Sequence, residues 1–275
     1  SHRCRIKSGN YSITDQSTTT ASISAKALSI SGISASNKTY DGTVSAVVST
    51  AGVVKSGLVA GDTVTVTSSG VFGDKNAGVG KVVTLSNSYG GADVGNYTFA
   101  GSATTTTAKI TPRALTLGSV AANDKTYDGG VVAAISSFGA FTGVVGSDAV
   151  SLVSTGYSAS FADKNVAYDA NSAVTTKTVT VLASSLGLSG AQAGNYKLVS
   201  NPTATAKINK LGVTVTGITA SNKVYDGTTA ATVSVSGASF TGMVSGDALT
   251  VASTGVFANK NVANGKTVTL TSTYG

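Results

Sequence analysis

The sequence has few of the residues on which most catalytic and metal sites depend. Its 275 residues include one Cys, one His, one Met, two Pro and no Trp, and all twelve acidic residues are Asp. A single Cys and a single His exclude an internal disulfide and a zinc site built from Cys and His. No pattern typical of a serine hydrolase, a zinc protease or a phosphate-binding loop occurs. We therefore expect no catalytic residue, no metal and no cofactor.

Charge is also scarce. Charged residues make up 11% of the chain, whereas an ordinary soluble domain has about 25%. The formal net charge is +7, and Arg3, Arg5 and Lys7 supply three of those charges at the N-terminus. Because no Lys/Arg cluster lies beside aromatic residues, nucleic acid is not an expected partner. No apolar run reaches the roughly 18 residues of a membrane span, so membrane insertion is not expected either.

Residues that favour β-strands are abundant instead. Val, Thr, Ile and Tyr are frequent, and apolar residues alternate with Thr or Ser in stretches such as T-V-T-V-T-S at 63–68. Such alternation is typical of strands with one buried face. Asp-Gly and Asn-containing turns separate these stretches, as expected where positive φ angles are needed. The sequence therefore predicts an all-β protein.

One hexapeptide occurs three times, as N-K-T-Y-D-G at 37–42, D-K-T-Y-D-G at 124–129 and N-K-V-Y-D-G at 222–227. Each copy is followed by a G-D or S-D turn, an F-x-D-K-N or F-A-N-K-N segment and a K-x-V-T strand. The first two copies continue with G-N-Y and a Thr-rich strand. A catalytic site is needed once, whereas a stacked structural unit is needed many times. The repeats therefore predict tandem β domains that form an elongated rod.

The strand pattern within a copy suggests an immunoglobulin-like sandwich, because about seven short strands alternate with turns every 8–12 residues. The G-N-Y segments resemble the corner of such sandwiches, where a Tyr hydroxyl binds backbone and its ring fills the core. The tyrosine-corner candidates are Tyr11, Tyr97 and Tyr196. A small β-grasp-like sheet fits the pattern too, because the sequence does not fix the order of strand pairing.

The Y-D-G tripeptide is interpreted as a strand that ends in a tight turn, with a packed Tyr and a Gly at positive φ. The residues of this structural turn motif are Tyr40, Asp41, Gly42, Tyr127, Asp128, Gly129, Tyr225, Asp226 and Gly227. The D-K-N segments are either cation sites or solvated turns. Calcium needs six or more oxygen ligands, and each copy supplies one Asp or, at Asn259, none. We therefore expect solvated turns.

The order of motifs divides the chain into four segments. They are a tail of a preceding repeat at 1–26, a first repeat at 27–112, a second at 113–209 and a third at 210–275. The third repeat lacks the G-N-Y segment and the closing Thr-rich strand, and the N-terminal tail resembles that missing piece.

Three interpretations of this arrangement are open. The chain is a section of a longer array, or the domain frame is permuted and starts at G-N-Y, or the tail completes the third repeat of another copy. In the last case the tail supplies donor strands to an open sheet edge. The candidate donor residues are Tyr11, Ile13, Ala21 and Ile23.

With N-K-x-Y-D-G, F-x-D-K-N, K-T-V-T-x and G-N-Y followed by T-A-x-I in this order, the chain resembles the YDG-type repeats of large bacterial surface proteins. Such repeats occur in filamentous-haemagglutinin-like and two-partner-secretion adhesins, beside the related MBG repeats. The resemblance covers residues 9–275, with departures at Gly130 and Asn259. It implies an extracellular all-β stalk that spaces an adhesive tip from the cell or builds a biofilm filament, without catalytic residues.

Two functions follow as hypotheses. In the first, the chain is a structural stalk or fibre, and its partners are neighbouring copies of the same repeat or chain. In the alternative, it is a multivalent carbohydrate-binding adhesin module whose partner is a surface or matrix polysaccharide. That module would use polar loops and exposed tyrosines such as Tyr157 or Tyr168.

Overall fold

The computed structural model describes residues 11–12 and 14–275, and this part of the chain is all-β. Its helical segments are three single 3₁₀ turns, at Val94–Asn96, Ala183–Ser185 and Ala193–Asn195. The chain divides into two compact units after Pro112. The first unit contains the first repeat, and the second unit contains the second and third repeats.

The first unit is built from short strands around one long hairpin. They are β1 (Lys26–Ala27), β2 (Ser29–Ser31), β3 (Ser34–Ala35), β4 (Lys38–Thr39), β5 (Ser45–Ala46), β6 (Val48–Ser49), β7 (Val54–Ser56), β8 (Thr65–Phe72), β9 (Gly78–Gly90), β10 (Tyr97–Thr98) and β11 (Thr105–Thr111).

The main sheet of this unit has the strand order β4-β11-β9-β8-β5. The β8–β9 hairpin is antiparallel, and β11 pairs with β9 antiparallel and with β4 parallel. Smaller ladders join β1 to β10, β2 to β7 and β3 to β6. The core lies between these ladders and the main sheet, where Leu28, Ile30, Tyr40 and Ile110 are fully buried.

The second unit repeats this scheme once and then begins it again. Its strands are β12 (Arg113–Leu117), β13 (Val120–Ala122), β14 (Lys125–Thr126), β15 (Ile135–Phe138), β16 (Phe141–Thr142), β17 (Ser151–Val153), β18 (Ala159–Phe161), β19 (Ala167–Tyr168), β20 (Val174–Val181), β21 (Gly187–Ser189), β22 (Tyr196–Leu198), β23 (Thr203–Asn209), β24 (Thr214–Thr216), β25 (Thr219–Ala220), β26 (Ala230–Ala231), β27 (Val233–Ser234), β28 (Ser239–Thr241), β29 (Val251–Phe257) and β30 (Val268–Tyr274).

In the second repeat the main sheet has the order β14-β23-β20-β18, and β19 also pairs with β20. The first strands again run parallel to the last ones, β12 with β22 and β14 with β23. The core gathers around Phe161, Val179, Val181 and Ile208. Apolar residues alternate with Thr along β20 and β23, so one face of each strand is buried, as the sequence pattern predicts.

The third repeat is open. Its largest sheet is β26-β29-β30, and among the described strands β30 pairs only with β29. In the first repeat the corresponding strand β9 pairs with β8 on one side and with the closing strand β11 on the other. Of the described hydrophobic residues, none after Ile208 is fully buried. A sheet without its closing strand leaves one edge and much of its apolar face in solvent.

The all-β prediction is confirmed by these strands. The arrangement as immunoglobulin-like sandwiches and the rod remain predictions, because the pairings form many small sheets rather than two continuous ones.

Candidate functional site

The Y-D-G turn of the first repeat is organised around one carboxylate. Asp41 Oδ1 accepts hydrogen bonds from the backbone amide of Thr43 and from its hydroxyl, both at 2.9 Å, and from Lys38 Nζ at 2.8 Å. The third repeat reproduces this geometry with Asp226, Thr228 and Lys223. The glycine that follows has a φ of 80° in the first copy, which a residue with a side chain rarely adopts.

In the second repeat Gly130 stands where the other copies have Thr. Asp128 Oδ1 accepts hydrogen bonds from the Gly130 amide at 2.9 Å and the Lys125 ammonium at 2.6 Å, and Gly130 has no hydroxyl to add a third. The turn keeps its shape, with a φ of 79° at Gly129, but it lacks one side-chain hydrogen bond.

These contacts change the acidity of the aspartates. Burial acts to raise the pKa of Asp41, but the hydrogen bonds from Lys38 and Thr43 outweigh it and lower this pKa to about 2. The Lys223 hydrogen bond, with those from Thr228, lowers the pKa of Asp226 to about 2. The pKa of Asp128 is also lowered, chiefly by Lys125. Each carboxylate stays ionised at neutral pH and holds its turn closed.

The same lysine connects the Y-D-G turn to the next motif. In each repeat its ammonium group lies over the ring of the Phe that precedes the D-K-N or N-K-N segment, which is a cation–π geometry. The ammonium-to-centroid distances are 5.4 Å for Lys38 and Phe72, 5.8 Å for Lys125 and Phe161, and 5.7 Å for Lys223 and Phe257. The two motifs are therefore in contact with each other in every repeat.

The D-K-N segments form turns that a second lysine occupies. Asp74 Oδ1 accepts from the Asn76 amide at 2.8 Å and from Lys81 Nζ at 2.6 Å. Asp163 accepts from Asn165 and Lys177 in the same way. In the third repeat Asn259 takes the place of the Asp and bonds Lys266 and the amide of Asn261. A cation site is not supported, because an ammonium group already holds the carboxylate, and no group of three potential metal-binding side chains occurs among the described residues.

The G-N-Y tyrosines hold the loop that contains the G-D or S-D turn. The Tyr97 hydroxyl accepts a hydrogen bond from the Val59 amide at 3.0 Å and donates one to Asp62 Oδ2 at 2.5 Å. Tyr196 does the same with Val145 at 2.9 Å and Asp148 at 2.6 Å. A tyrosine corner binds backbone a few residues upstream, whereas the Tyr97 hydroxyl bonds residues 35 and 38 positions away.

We call this loop the V-x-G-D loop after its first and third copies; it comprises residues 59–62, 145–148 and 244–247, and the second copy reads V-G-S-D. In each repeat the Asp amide donates to the carbonyl oxygen of the Val at 3.1 Å, which closes a tight turn. The first and third loops also share a positive φ at their third residue, Gly61 and Gly246, whereas in the second loop the positive φ lies one position earlier, at Gly146.

The second and third repeats meet where a Y-D-G turn faces such a loop. The Tyr127 hydroxyl donates a 2.8 Å hydrogen bond to Asp247 Oδ2, and Lys164 Nζ lies 3.7 Å from Asp247 Oδ1. The hydrogen bond to Asp247 is the main cause that raises the pKa of Tyr127, since an ionised phenol would repel the carboxylate. The hydroxyl therefore stays protonated and can donate at neutral pH.

Apolar contacts surround this hydrogen bond. A cavity of about 420 Å3 at the junction is lined by Tyr127, Val166, Leu211, Val213 and Val244, among others. A Cβ atom added to Gly129 would approach Val244 Cγ1 to 2.8 Å, so glycine is required here by the neighbouring repeat as well as by its φ. We call this contact between Y-D-G turn and V-x-G-D loop the repeat joint.

The three Y-D-G tyrosines differ in exposure. Tyr40 is completely buried, Tyr127 is half-buried in the repeat joint, and Tyr225 is 57% exposed. In the first two repeats the Tyr amide also donates to the end of the closing strand, at Thr111 and Asn209. The third repeat has no such strand within this sequence.

The candidate donor residues lie in an exposed stretch. Tyr11, Ala21 and Ile23 are exposed, and residues 14–25 belong to no strand. Ile13 lies outside the described residues. No described contact joins this stretch to a sheet edge.

One expectation about exposed tyrosines is wrong. Tyr157 packs in the core of the second repeat, where its ring meets Phe138 edge-on at 5.4 Å and its hydroxyl accepts from the Ile135 amide. Tyr157 directly follows a turn at Gly156, whose φ is 74°, and is only partly exposed. Tyr168 is 47% exposed, with Lys210 Nζ 5.1 Å above its ring.

The repeat joint is the feature that sequence reasoning missed. The signal is present, because a G-D or S-D pair follows every Y-D-G motif at a similar distance. The sequence does not show that the partner of Tyr127 is the Asp of the next repeat, 120 residues away.

Among the described residues, no helix is both long and apolar enough to cross a membrane.

These features define a tandem-repeat all-β protein whose shared motifs build turns and the contact between repeats. The family model of the YDG domain matches residues 24–107, 111–206 and 209–275. The chain therefore belongs to the YDG domain family and contains three consecutive matches to it. No curated protein matches the sequence, and no solved structure matches the chain.

Proposed function

We propose that this chain is a structural, non-catalytic region of an extracellular bacterial adhesin. It serves as a stalk that spaces an adhesive tip from the cell, or as the subunit of a surface or biofilm filament. The three consecutive YDG-domain matches and the repeat joint support this proposal, since the module recurs along one chain and its second and third copies contact each other.

The repeat joint carries the proposal. The repeated side chains of the Y-D-G turn and the V-x-G-D loop bond each other and their own turns. These motifs therefore serve the structure rather than a substrate. Stability in such an array is the sum of small cores and nearest-neighbour contacts.

Filament growth can also use strand donation. The edge of β30 is unpaired among the described strands, and the tail at 9–26 has the alternation of a closing strand. If the tail of one copy pairs with β30 of another, the contact is head-to-tail and does not close, which produces fibres.

The experiment compares the intact chain with a chain that lacks residues 1–26, by negative-stain microscopy and light scattering. Fibres from the intact chain and monomers from the truncated one are the result expected for strand donation. If both chains are monomeric, strand donation is overturned and only the stalk hypothesis remains. As a control, Ile23→Asp in the intact chain should reduce fibre formation, while Ser24→Asp, its exposed neighbour, should not.

The stalk itself is tested on cells that produce the full protein. An antibody against the second repeat should label intact cells, and external protease should remove the label. Labelling only after the cells are broken open would overturn the extracellular assignment.

A further inference from the structure

The third repeat exposes a face whose equivalent is covered in the second. In the second repeat Tyr127, Gly129 and Val166 lie against the V-x-G-D loop of the third. The equivalent residues of the third repeat are Tyr225, Gly227 and Val262. Tyr225 is 57% and Val262 86% exposed. Apart from Gly227 and its two chain neighbours, no described residue has an atom within 4 Å of the position that a Cβ on Gly227 would take. We call these three residues the open joint face.

A loop of the matching shape is exposed at the other end of the chain. The V-x-G-D loop of the first repeat has the same internal hydrogen bond as the loop in the repeat joint, from the Asp62 amide to the Val59 carbonyl at 3.1 Å. Val59 is 46% exposed, whereas Val244 at the equivalent position is half-buried in the joint.

Asp62 also has capacity for a further donor. Its Oδ2 accepts from Tyr97 at 2.5 Å, and no hydrogen bond to Oδ1 occurs among the described residues. An ionised carboxylate offers about four lone-pair sites. In the repeat joint, Asp247 Oδ2 receives the hydroxyl of Tyr127 from the neighbouring repeat, and Lys164 Nζ lies 3.7 Å from Asp247 Oδ1. In Asp62 the G-N-Y tyrosine of the same repeat already bonds Oδ2, so the incoming tyrosine would use Oδ1. The lysine at that position of the third repeat is Lys260, which follows Asn259 as Lys164 follows Asp163.

We propose that the open joint face binds the V-x-G-D loop of the first repeat of a second copy of this chain. Tyr225 then donates to Asp62 of that copy, Val262 packs on its Val59, and Gly227 leaves room for the same valine, as Gly129 does for Val244. Lys260 supplies the charge that Lys164 supplies within the chain.

This contact would be a second attachment between subunits of the proposed filament. Its role in the cell rests on the proposed function, whereas the contact itself can be tested without it. Both contacts would join the third repeat of one copy to the N-terminal part of a second copy. A tail that pairs with β30 is followed directly by the first repeat of the second copy, so the two contacts are compatible. The closing strand β23 of the second repeat is followed by the third repeat in the same way. The two attachments are nevertheless made by different residues and can be removed separately.

Crosslinking gives the direct test. In a Cys4→Ser background, chains with Val262→Cys are mixed with chains with Val59→Cys and treated with a short bifunctional maleimide. A crosslinked heterodimer is expected, and neither chain alone should give it. The positive control is one chain with Val166→Cys and Val244→Cys, which both line the repeat joint. If the control crosslinks and the mixture does not, the proposal is overturned.

Sedimentation equilibrium on the full chain measures the strength of the contact. Tyr225→Phe should weaken association about tenfold, the usual effect of losing a hydrogen bond to a charged group. Gly227→Ala should weaken it as well, since a Cβ there would meet the incoming valine. Tyr168→Phe, which changes a half-exposed tyrosine at the internal repeat joint but not on the open joint face, should leave association unchanged. A chain that stays monomeric to about 1 mM, the weak limit of specific binding, or association that both face variants leave unchanged, would overturn the proposal.

The chain without residues 1–26 separates this contact from strand donation. If only the truncation abolishes association, donation stands and the open joint face is overturned. If the face variants weaken association of the truncated chain too, the face binds independently of the tail. The cell-surface measurement above is unaffected by either result.

Discussion

At the scale of single residues, the Y-D-G aspartate is the centre of each repeat's signature turn. Asp41 collects an ammonium, an amide and a hydroxyl on one oxygen. Its acceptor role explains why the motif contains Asp rather than Asn, because charge-assisted hydrogen bonds are roughly twice as strong as neutral ones.

The depressed pKa of Asp41 predicts a specific acid sensitivity. Its pKa is about 2 in the folded chain and 3.8 in the reference state, so its stabilising contribution is complete above about pH 4. It is lost as pH falls from there towards 2, since the unfolded chain binds the proton first. Asp41→Asn should therefore lower stability at pH 7 and flatten the acid limb of a urea-midpoint against pH curve. Asp15→Asn, at an exposed tail position, is the control and should leave that curve unchanged.

Gly130 gives the opposite kind of prediction, a stabilising one. Its φ is not in the left-handed region, and a Cβ there would lie 3.5 Å from Asp128 Oδ1, an ordinary contact. Gly130→Thr should restore the hydroxyl bond seen at Thr43 and raise the stability of the second repeat by about 1 kcal/mol. Gly130→Ala separates the two causes, because it reduces backbone freedom without adding the hydroxyl. Equal gains from both variants would show that the hydrogen bond contributes nothing.

At the scale of strands, the central hairpin of the first repeat leaves no space at one position. A Cβ on Gly70 of β8 would lie 2.6 Å from Val48 Cγ2 and 2.8 Å from Val83 Cγ1. The equivalent residue of the second repeat is Ala159, which is buried in that repeat's core. The same place in the sheet is therefore packed differently in the two copies.

Gly70→Ala should accordingly destabilise the first repeat by about 1–3 kcal/mol, the usual cost of overpacking. Gly73→Ala is the matched control, because nothing lies within 4 Å of its added Cβ. Urea denaturation of the separate variants measures the difference. Similar midpoints for the two variants would show that β8 shifts without cost.

Strand number and strand type follow from the sequence, whereas strand pairing does not. The T-V-T-V-T-S alternation predicts β8, and the K-x-V-T segments predict β9, β20 and β30, because alternation is a local property. The pairing of β4 with β11 joins residues more than 70 positions apart and leaves no local trace. The burial of Tyr157 was missed for a related reason, because its contacts with Phe138 and Ile135 come from residues about 20 positions away.

At the scale of the whole molecule, the repeats of the second unit are unequal in burial. The second repeat has a closed core, while the described hydrophobic residues of the third are all at least partly exposed. The third repeat therefore depends on the second repeat for stability. The repeat joint is the contact that supplies this stability.

Tyr127→Phe should uncouple the two repeats. It removes the 2.8 Å hydrogen bond to Asp247 while keeping the ring in place. Amide hydrogen exchange should rise in the loop at 243–249 and along β30, with little change in β20, because local opening is governed by local contacts. Tyr225→Phe is the control, since no hydrogen bond of the Tyr225 hydroxyl occurs among the residues that the structure describes. Unchanged exchange in the third repeat of Tyr127→Phe would mean that apolar contacts alone hold the joint.

The repeat joint also bears on how such a gene changes length. The second repeat contains a Y-D-G turn and a V-x-G-D loop, as does the first, so each carries both halves of the contact. If a duplication or deletion adds or removes one whole repeat, each Y-D-G turn between two repeats still faces a V-x-G-D loop. Copy number can then vary between lineages without compensating substitutions, and the reach of the molecule becomes a trait that recombination alone can adjust.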